Sequence, residues 1–247
     1  MLYLKPMPGG IIQAFIDILY PPYCLICHTR IRGAKAREPL CVKCREKINT
    51  LTAPFCVKCG RGVAGAYTRE GKCALCLKQN FNFDRAWAGY AYDGVIKEML
   101  HYFKYNHKVS LGSALARLML DFIGEYRLPV GSCDYIVPIP LSPARLRERE
   151  FNQAYVLAAA LSNHLKLKLL DNNLKRVRNT KSQADLDRIA RWKNIQGAFK
   201  LKSPNLVKDK TILLIDDVLT TGATASEAAG ALKNAGAGSV YVLTLAN

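Results

Sequence analysis

The sequence predicts an α/β protein in two parts: a small cysteine-rich module over residues 1–80 and a mostly parallel sheet flanked by helices over residues 81–247. Three observations carry this expectation. Eight of the nine cysteines form four Cys-x-x-Cys pairs, all before residue 80. Beyond residue 80, apolar runs of strand length alternate with stretches of helical periodicity, the pattern of right-handed crossovers onto a parallel sheet. One of these runs, ILLIDDVLTTGAT at 212–224, sets two adjacent carboxylates at the end of a buried strand and just before a hydroxyl-rich turn.

The cysteine pairs are Cys24/Cys27, Cys41/Cys44, Cys56/Cys59 and Cys73/Cys76. The turn within each pair directs two sulfurs at one tetrahedral metal, and four thiolates complete a closed structural zinc site, so eight thiols make two Zn²⁺ sites. A redox role also uses Cys-x-x-Cys, but four copies without a surrounding βαβ pattern argue against it. Each cysteine recurs 32 residues later, as do Gly33/Gly65, Ala34/Ala66, Arg37/Arg69 and Glu38/Glu70, so the module reads as two copies of one small unit. The repeat predicts one zinc on the first two pairs and another on the last two. A cross-braced arrangement, first pair with third and second with fourth, is the alternative. Cys133 has no partner at suitable spacing and reads as a small core residue.

The chain carries 36 Lys+Arg against 19 Asp+Glu, a formal charge of +17. The excess lies in two blocks: residues 1–80 hold 13 basic and 4 acidic side chains, and residues 143–202 hold 14 and 5. Blocks of this kind suit a polyanion, either one small pyrophosphate or a nucleic acid. The apolar stretch 11–20 contains Asp17 and stops at Pro21-Pro22, which is too short to span a bilayer and lacks the parts of a secretory signal. It reads as an amphipathic helix, and the chain as cytoplasmic without an integral membrane segment.

In the second part, Val95, Ile96, Met99, Leu100 and Phe103 recur at helical spacing, and 111–126 repeats that pattern. Residues 134–141, DYIVPIPL, make a short strand stopped by Pro138 and Pro140. An Ala-rich helix is expected over 151–165, with Phe151, Ala154, Tyr155 and Ala158 on one face. A polar, basic stretch covers 171–196. The strand at 212 leads into a helix near 225–235, and Gly236 and Gly238 break it before a last strand at 240–245.

Free N–H groups in the turn 220–224, with the dipole of the helix that follows, favour a phosphate. Carboxylates just before such a cradle suit the hydroxyls of a sugar phosphate. The segment resembles the phosphoribosyl-pyrophosphate (PRPP) motif of type I phosphoribosyltransferases, and all thirteen positions fit. Together with VPIPLSPARLREREFNQA and SQADLDRIARWKNIQGAF, it makes nearly the whole chain similar to the ComF family of phosphoribosyltransferase-like proteins, which includes competence proteins and GntX-like relatives. Two departures stand out. Glu150 occupies a position where the family usually has Gly in its RGFNQ segment, and the Lys-Phe-x-Gly segment reads Lys104-Tyr105-Asn106-His107.

The resemblance implies a type I phosphoribosyltransferase fold and displacement of pyrophosphate from C1 of ribose. By it, Asp216 and Asp217 hold the ribose hydroxyls directly or through Mg²⁺, and Thr220, Thr221, Gly222, Ala223 and Thr224 hold the 5′-phosphate. Pro140, Leu141 and Ser142 correspond to the pyrophosphate loop, and Arg145 and Arg149 after it, with Lys104, stabilise the leaving group. Residues 176–194 fall where the family has a loop that closes over PRPP. Asn152 and Gln153 at the start of their helix lie within reach of the site, whereas His101, His107 and His164 read as structural. The acceptor is not identified by any segment. The resemblance links the chain to DNA uptake and transformation or to nucleotide metabolism, either as a transferase or as a PRPP-sensing module whose zinc end contacts single-stranded DNA or proteins of the uptake machinery.

Overall fold

The computed structural model describes residues 21–31, 38–63, 69–106, 108–178 and 188–247. The expected helix at 11–20 and the middle of the expected closing loop, 179–187, lie outside these residues. Two compact units are present, Met1–Ile48 and Asn49–Asn247. The sequence places a boundary near residue 80, where the cysteine pairs end, but the second cysteine group is buried with the sheet of the larger unit.

Among the described residues, the smaller unit holds one short helix, α1 (Val42–Glu46), among turns. The larger begins with α2 (Ala74–Lys78) and then builds its sheet: β1 (Arg85–Tyr90), α3 (Gly94–Tyr105), α4 (Leu111–Glu125), β2 (Tyr135–Pro138), α5 (Pro143–Arg149), α6 (Gln153–Leu165) and β3 (Lys168–Leu169). It continues with β4 (Leu174–Arg176), α7 (Arg188–Ile195), β5 (Phe199–Leu201), β6 (Thr211–Val218), α8 (Ala223–Asn234) and β7 (Ser239–Ala246). Five strands form a parallel sheet in the order β1-β7-β6-β2-β3. Central β6 pairs with β2 from Tyr135↔Ile212 to Pro138↔Ile215, and with β7 from Thr211↔Ser239 to Val218↔Ala246.

Both faces of this sheet are covered, which is why β6 and β7 are nearly continuous apolar runs without alternation. Because side chains alternate along a strand, Ile212, Leu214, Val240 and Val242 share one core with α8 and the second cysteine group. The opposite face carries α4 and α6. There Gly89 of β1 lies under Phe122, and Gly112 of α4 lets Val156 of α6 approach within 2.3 Å of where a Cβ would stand. Edge strand β1 is closed to further pairing: Leu51 N–H donates to Gly89 O at 2.9 Å, Ala91 N–H to Asn49 O at 2.9 Å and Ala86 N–H to Lys58 O at 2.8 Å.

All five positions expected to face inward on α3 are buried. In α6 the buried face is Gln153, Ala154, Leu157, Ala158 and Leu161. Tyr155, expected among them, is exposed, since one residue turns a helix by about 100° and carries it off the stripe set by Ala154 and Ala158. Phe151 precedes the helix and packs against Phe103, ring centroids 5.4 Å apart. The basic stretch 171–196 is more structured than its composition suggests. β4 and β5 pair antiparallel, and Trp192 of α7 meets Phe81 at 5.8 Å between centroids.

Candidate functional site

The cysteines gather as the repeat predicts. Cys24, Cys27, Cys41 and Cys44 form one group and Cys56, Cys59, Cys73 and Cys76 another, with all four sulfurs of each within 4.8 Å of one another. Cys27 Sγ lies 3.6 Å from Cys41 Sγ, and Cys59 Sγ 3.7 Å from Cys73 Sγ. A tetrahedral zinc with Zn–S bonds of about 2.3 Å separates its sulfurs by about 3.8 Å, so both groups fit the metal and neither is a disulfide.

The two units also repeat bond by bond. His28 N–H donates to Cys24 O and Gly60 N–H to Cys56 O, both at 3.0 Å. Leu25 N–H donates to Pro39 O at 2.9 Å, and Val57 N–H to Gly71 O at 3.0 Å. His28 and Gly60 share the left-handed backbone that closes the knuckle, at φ 55° and 68°. Gly60 is needed twice over, since a Cβ there would stand 2.4 Å from Ala86 O.

Thiol acidities explain why a cation is required. A hydrogen bond from Thr29 lowers Cys27 to about 6, and one from Cys59 lowers Cys56 to about 4. Burial pushes Cys44 and Cys76 up to about 12. A divalent cation supplies the charge that lets all four sulfurs ligate as thiolates. The sites are structural: all four ligand positions are filled by sulfur.

The second site opens at the carboxyl ends of β2 and β6, where ligands bind in open α/β sheets. A cavity of about 740 Å³ is lined there by Asp216, Asp217, Thr220, Gly222, Ala223 and Thr224 from β6 and its turn. Ile139, Pro140, Leu141, Arg145, Arg149, Asn152 and Gln153 line it from the β2 side, and Tyr92, Lys97, Glu98, His101, Lys104 and Tyr105 from α3 and the segment before it. The volume falls within the range of about 300–1,000 Å³ typical of small-molecule sites.

Local chemistry explains the turn. Gly222 adopts φ 78° and caps α8, with Ser226 N–H donating to its carbonyl at 2.8 Å. Thr221 and Ser142 do not line the cavity. Thr221 Oγ1 accepts from Ala223 N–H and Ser142 Oγ from Arg145 N–H, both at 3.4 Å. Asn152 caps α6, and its Nδ2 donates to Ile139 O at 3.1 Å, which fixes the loop after β2 to the start of that helix.

The acids differ in state. Asp217 is buried against Lys104, and the two form an ion pair. Burial alone would lower Lys104, but the Asp217 carboxylate outweighs it and holds the ammonium above its ordinary value. Asp216 accepts from Asp217 N–H at 2.9 Å, yet burial and then the neighbouring Asp217 charge raise it to about 7. One carboxylate is thus satisfied by Lys104 and the other is short of positive charge. A hard divalent cation held by one or two carboxylates and substrate phosphates matches that donor set.

Three residues gain roles that the sequence reading did not give them. His101, read as structural, faces the cavity, its ring centroid 5.0 Å from that of Tyr105 and tilted to it by 43°. Arg176, grouped with the closing loop, sits instead on β4, lines the cavity and lies over Phe199, and burial lowers it to about 10. Phe81 packs under the turn at Gly222. None of these carries a local motif, so only the folded contacts reveal them.

Fold and site define a phosphoribosyltransferase-type domain that carries two structural zinc ribbons. Comparisons agree: residues 15–78 match the Double zinc ribbon domain family and residues 152–247 the Phosphoribosyl transferase domain family. Competence protein F of Haemophilus influenzae is 31% identical over 177 residues, covering 69% of this chain and 76% of that protein. Competence protein ComFC of Bacillus subtilis is 35% identical over 161 residues, 63% of this chain and 61% of that one. DNA utilization protein YhgH of Escherichia coli is 34% identical over 152 residues, and the match spans 66% of its length. The chain belongs to the ComF family of phosphoribosyltransferase-like proteins. Among the described residues no helix is long and apolar enough to cross a membrane.

Proposed function

We propose that this chain binds PRPP in the cavity between β6 and β2 and, with Mg²⁺, transfers its phosphoribosyl group to an acceptor, in a cytoplasmic role tied to DNA uptake or nucleotide metabolism. The observation that carries the proposal is the meeting, in one cavity, of a carboxylate pair and a glycine-capped phosphate turn with the cations Lys104, Arg145, Arg149 and Arg176. In this reading Asp216 and Asp217 hold the ribose hydroxyls directly or through Mg²⁺, which would supply charge neutralisation to the phosphates. The turn from Thr220 to Thr224 receives the 5′-phosphate at the N-terminus of α8. Arg145 and Arg149 stabilise the charge that grows on pyrophosphate as its bond to C1 breaks. The names of the relatives, competence proteins and a DNA utilization protein, support the link to DNA. The basic, zinc-bearing N-terminal part supplies the surface for single-stranded DNA or a protein of the uptake machinery.

Phosphorus NMR of the zinc-loaded protein with PRPP and Mg²⁺, in the presence of nucleobases, ammonia and single-stranded DNA, tests the reading. Acceptor-dependent conversion of PRPP to pyrophosphate establishes the transferase. Shifted PRPP signals without turnover replace it with a sensing role, and unshifted signals remove PRPP from the account.

A further inference from the structure

The two zinc sites repeat each other in ligand spacing and in backbone bonding, yet they differ in cover. In the second copy Cys56, Cys59, Cys73 and Cys76 are all buried, none more than 8% exposed. In the first, Cys24 and Cys44 are buried, whereas Cys27 is exposed and Cys41 half-buried. Cys27 and Cys41 correspond in the repeat to Cys59 and Cys73. The two pairs have nearly the same separation, 3.6 Å between Cys27 Sγ and Cys41 Sγ and 3.7 Å between Cys59 Sγ and Cys73 Sγ. Ligand set and geometry are thus held constant between the copies, and what changes is access from solvent.

The cause is local. Gly60, which closes the second knuckle after Cys59, lies so close to β1 that a Cβ would stand 2.4 Å from Ala86 O. Ala86 N–H donates to Lys58 O at 2.8 Å, and Val63, Phe81 and Phe83 share one buried cluster with the four sulfurs. The first knuckle has His28 in place of Gly60, and both His28 and Thr29 are exposed beside Cys27. Thr29 Oγ1 lies 3.3 Å from Cys27 Sγ, so the outer sulfur has a polar, water-facing neighbour. A zinc-bound sulfur keeps thiolate character. Oxidation of thiolates follows exposure, and it is favoured where a second sulfur stands ready to close a disulfide.

We propose that Cys27 is an oxidation site for peroxides, with Cys41 as its resolving thiol, and that this oxidation releases the first zinc while the second stays bound. The Cys27 thiolate attacks one oxygen of hydrogen peroxide. The O–O bond breaks, the sulfur becomes a sulfenic acid, and hydroxide leaves to take up a proton as water. The Cys41 thiolate then attacks the Cys27 sulfur, forms the S–S bond and expels a second hydroxide, which is protonated in turn. Two electrons pass from the sulfur pair to one peroxide. The zinc, left with Cys24 and Cys44, dissociates. The compact unit Met1–Ile48 is too small to hold a core without that metal, whereas Asn49–Asn247 keeps its own zinc and its sheet. Oxidation therefore opens the first ribbon and leaves the sheet domain in place, whatever its cavity binds.

Exposure of the full-length, zinc-loaded chain to hydrogen peroxide tests this, with a chromogenic chelator reporting free zinc against a peroxide-free control and mass spectrometry mapping the cysteines. About one zinc per chain should appear in a first phase, at least about tenfold faster than the other, with a Cys27–Cys41 disulfide in the same fraction. Limited proteolysis of that fraction should cut before Asn49 and leave Asn49–Asn247 whole, and dithiothreitol with Zn²⁺ should restore resistance. Cys27→His retains a four-ligand zinc site and removes the attacked sulfur. It should bind two zincs and slow the first phase at least about tenfold. The cysteine map of the unmutated protein is a readout independent of how well that variant folds. Release of both zincs in one phase, a first disulfide within the second cysteine group, or Cys27 oxidised with its zinc retained would each overturn the proposal. So would an unchanged first phase in zinc-loaded Cys27→His, or proteolysis that reaches the sheet domain as early as the first ribbon.

Discussion

The ring of Phe81 fills the space that a side chain at Gly222 would need: a Cβ there would stand 2.5 Å from Phe81 Cε1. Phe81 follows the last zinc-binding turn closely in sequence, and it stacks on Phe83 at 4.9 Å and meets Trp192 at 5.8 Å. Asn82 continues the connection, its N–H donating to Ser226 Oγ and its Nδ2 to Ser226 O, both at 3.0 Å. The connection that leaves the second zinc ribbon thus underlies the turn that opens α8. Gly222→Ala meets two penalties, the clash and the left-handed φ of 78°, together about 2–4 kcal/mol. Denaturant unfolding should show that loss, and PRPP affinity should fall at least tenfold. Pairing it with Phe81→Leu should recover the steric part and leave the backbone part. Additive effects in this double-mutant cycle would mean that ring and turn are uncoupled.

Metal analysis of reduced protein should give two zincs per chain. Chelation should act differently on the two compact units. The first, Met1–Ile48, is too small to sustain a core without a staple, so its structure should be lost with its metal. The second cysteine group shares its core with Phe81, Phe83 and the inner face of α8. Cys76→Ser should therefore remove one zinc and also lower the unfolding midpoint of the sheet domain. A variant that lost its zinc at an unchanged midpoint would show that this group is an appendage to the core.

Much of this architecture was legible because its causes are local. Strands β6 and β7 are buried on both faces and read as unbroken apolar runs, and α3 shows its inward stripe in five residues. The repeat of 32 residues predicted the grouping of the cysteines because knuckle, turn and short helix all sit within one repeat. What stayed hidden depends on contacts distant in sequence. The Lys104–Asp217 pair joins the end of α3 to β6, and Arg149 reaches Tyr105 across 44 positions. The strands β4 and β5 were masked by a basic composition: β4 offers one apolar residue, Leu174, and β5 two, Phe199 and Leu201.

Asp216 gives the cavity a pH dependence of definite sign. Burial, then the charge of Asp217, raises this carboxyl to about 7. In the proposed PRPP reading its ionised form is the one that holds ribose hydroxyls or a cation, so below pH 7 binding must first release a proton. Affinity for PRPP with Mg²⁺ should fall about tenfold per pH unit below 7 and level off above it. Calorimetry in buffers of different ionisation enthalpy should register release of nearly one proton per PRPP at pH 6 and close to none at pH 8.5. Asp216→Asn should remove its share of the proton release, leaving that of the PRPP phosphates, along with much of the affinity. A proton count that stayed at zero in wild type at pH 6 would show that Asp216 is already ionised.

Glu150 marks the place where this chain departs from the RGFNQ pattern of its family, and the backbone explains why that pattern has Gly. The residue ends α5 at φ 64° and ψ −17°, in the left-handed region. A side chain there costs about 1–2 kcal/mol, while a Gly returns about 0.4–1 kcal/mol of that through the greater freedom of its unfolded chain. Glu150→Gly should therefore stabilise the protein by about 0.5–1 kcal/mol, measured by denaturant unfolding. Glu150→Ala is the necessary control, since it removes the carboxylate and keeps the Cβ. Gain in the Gly variant alone identifies backbone strain, gain in both assigns the cost to the carboxylate beside Arg149, and loss in both shows that a contact of the Glu150 side chain outweighs the strain.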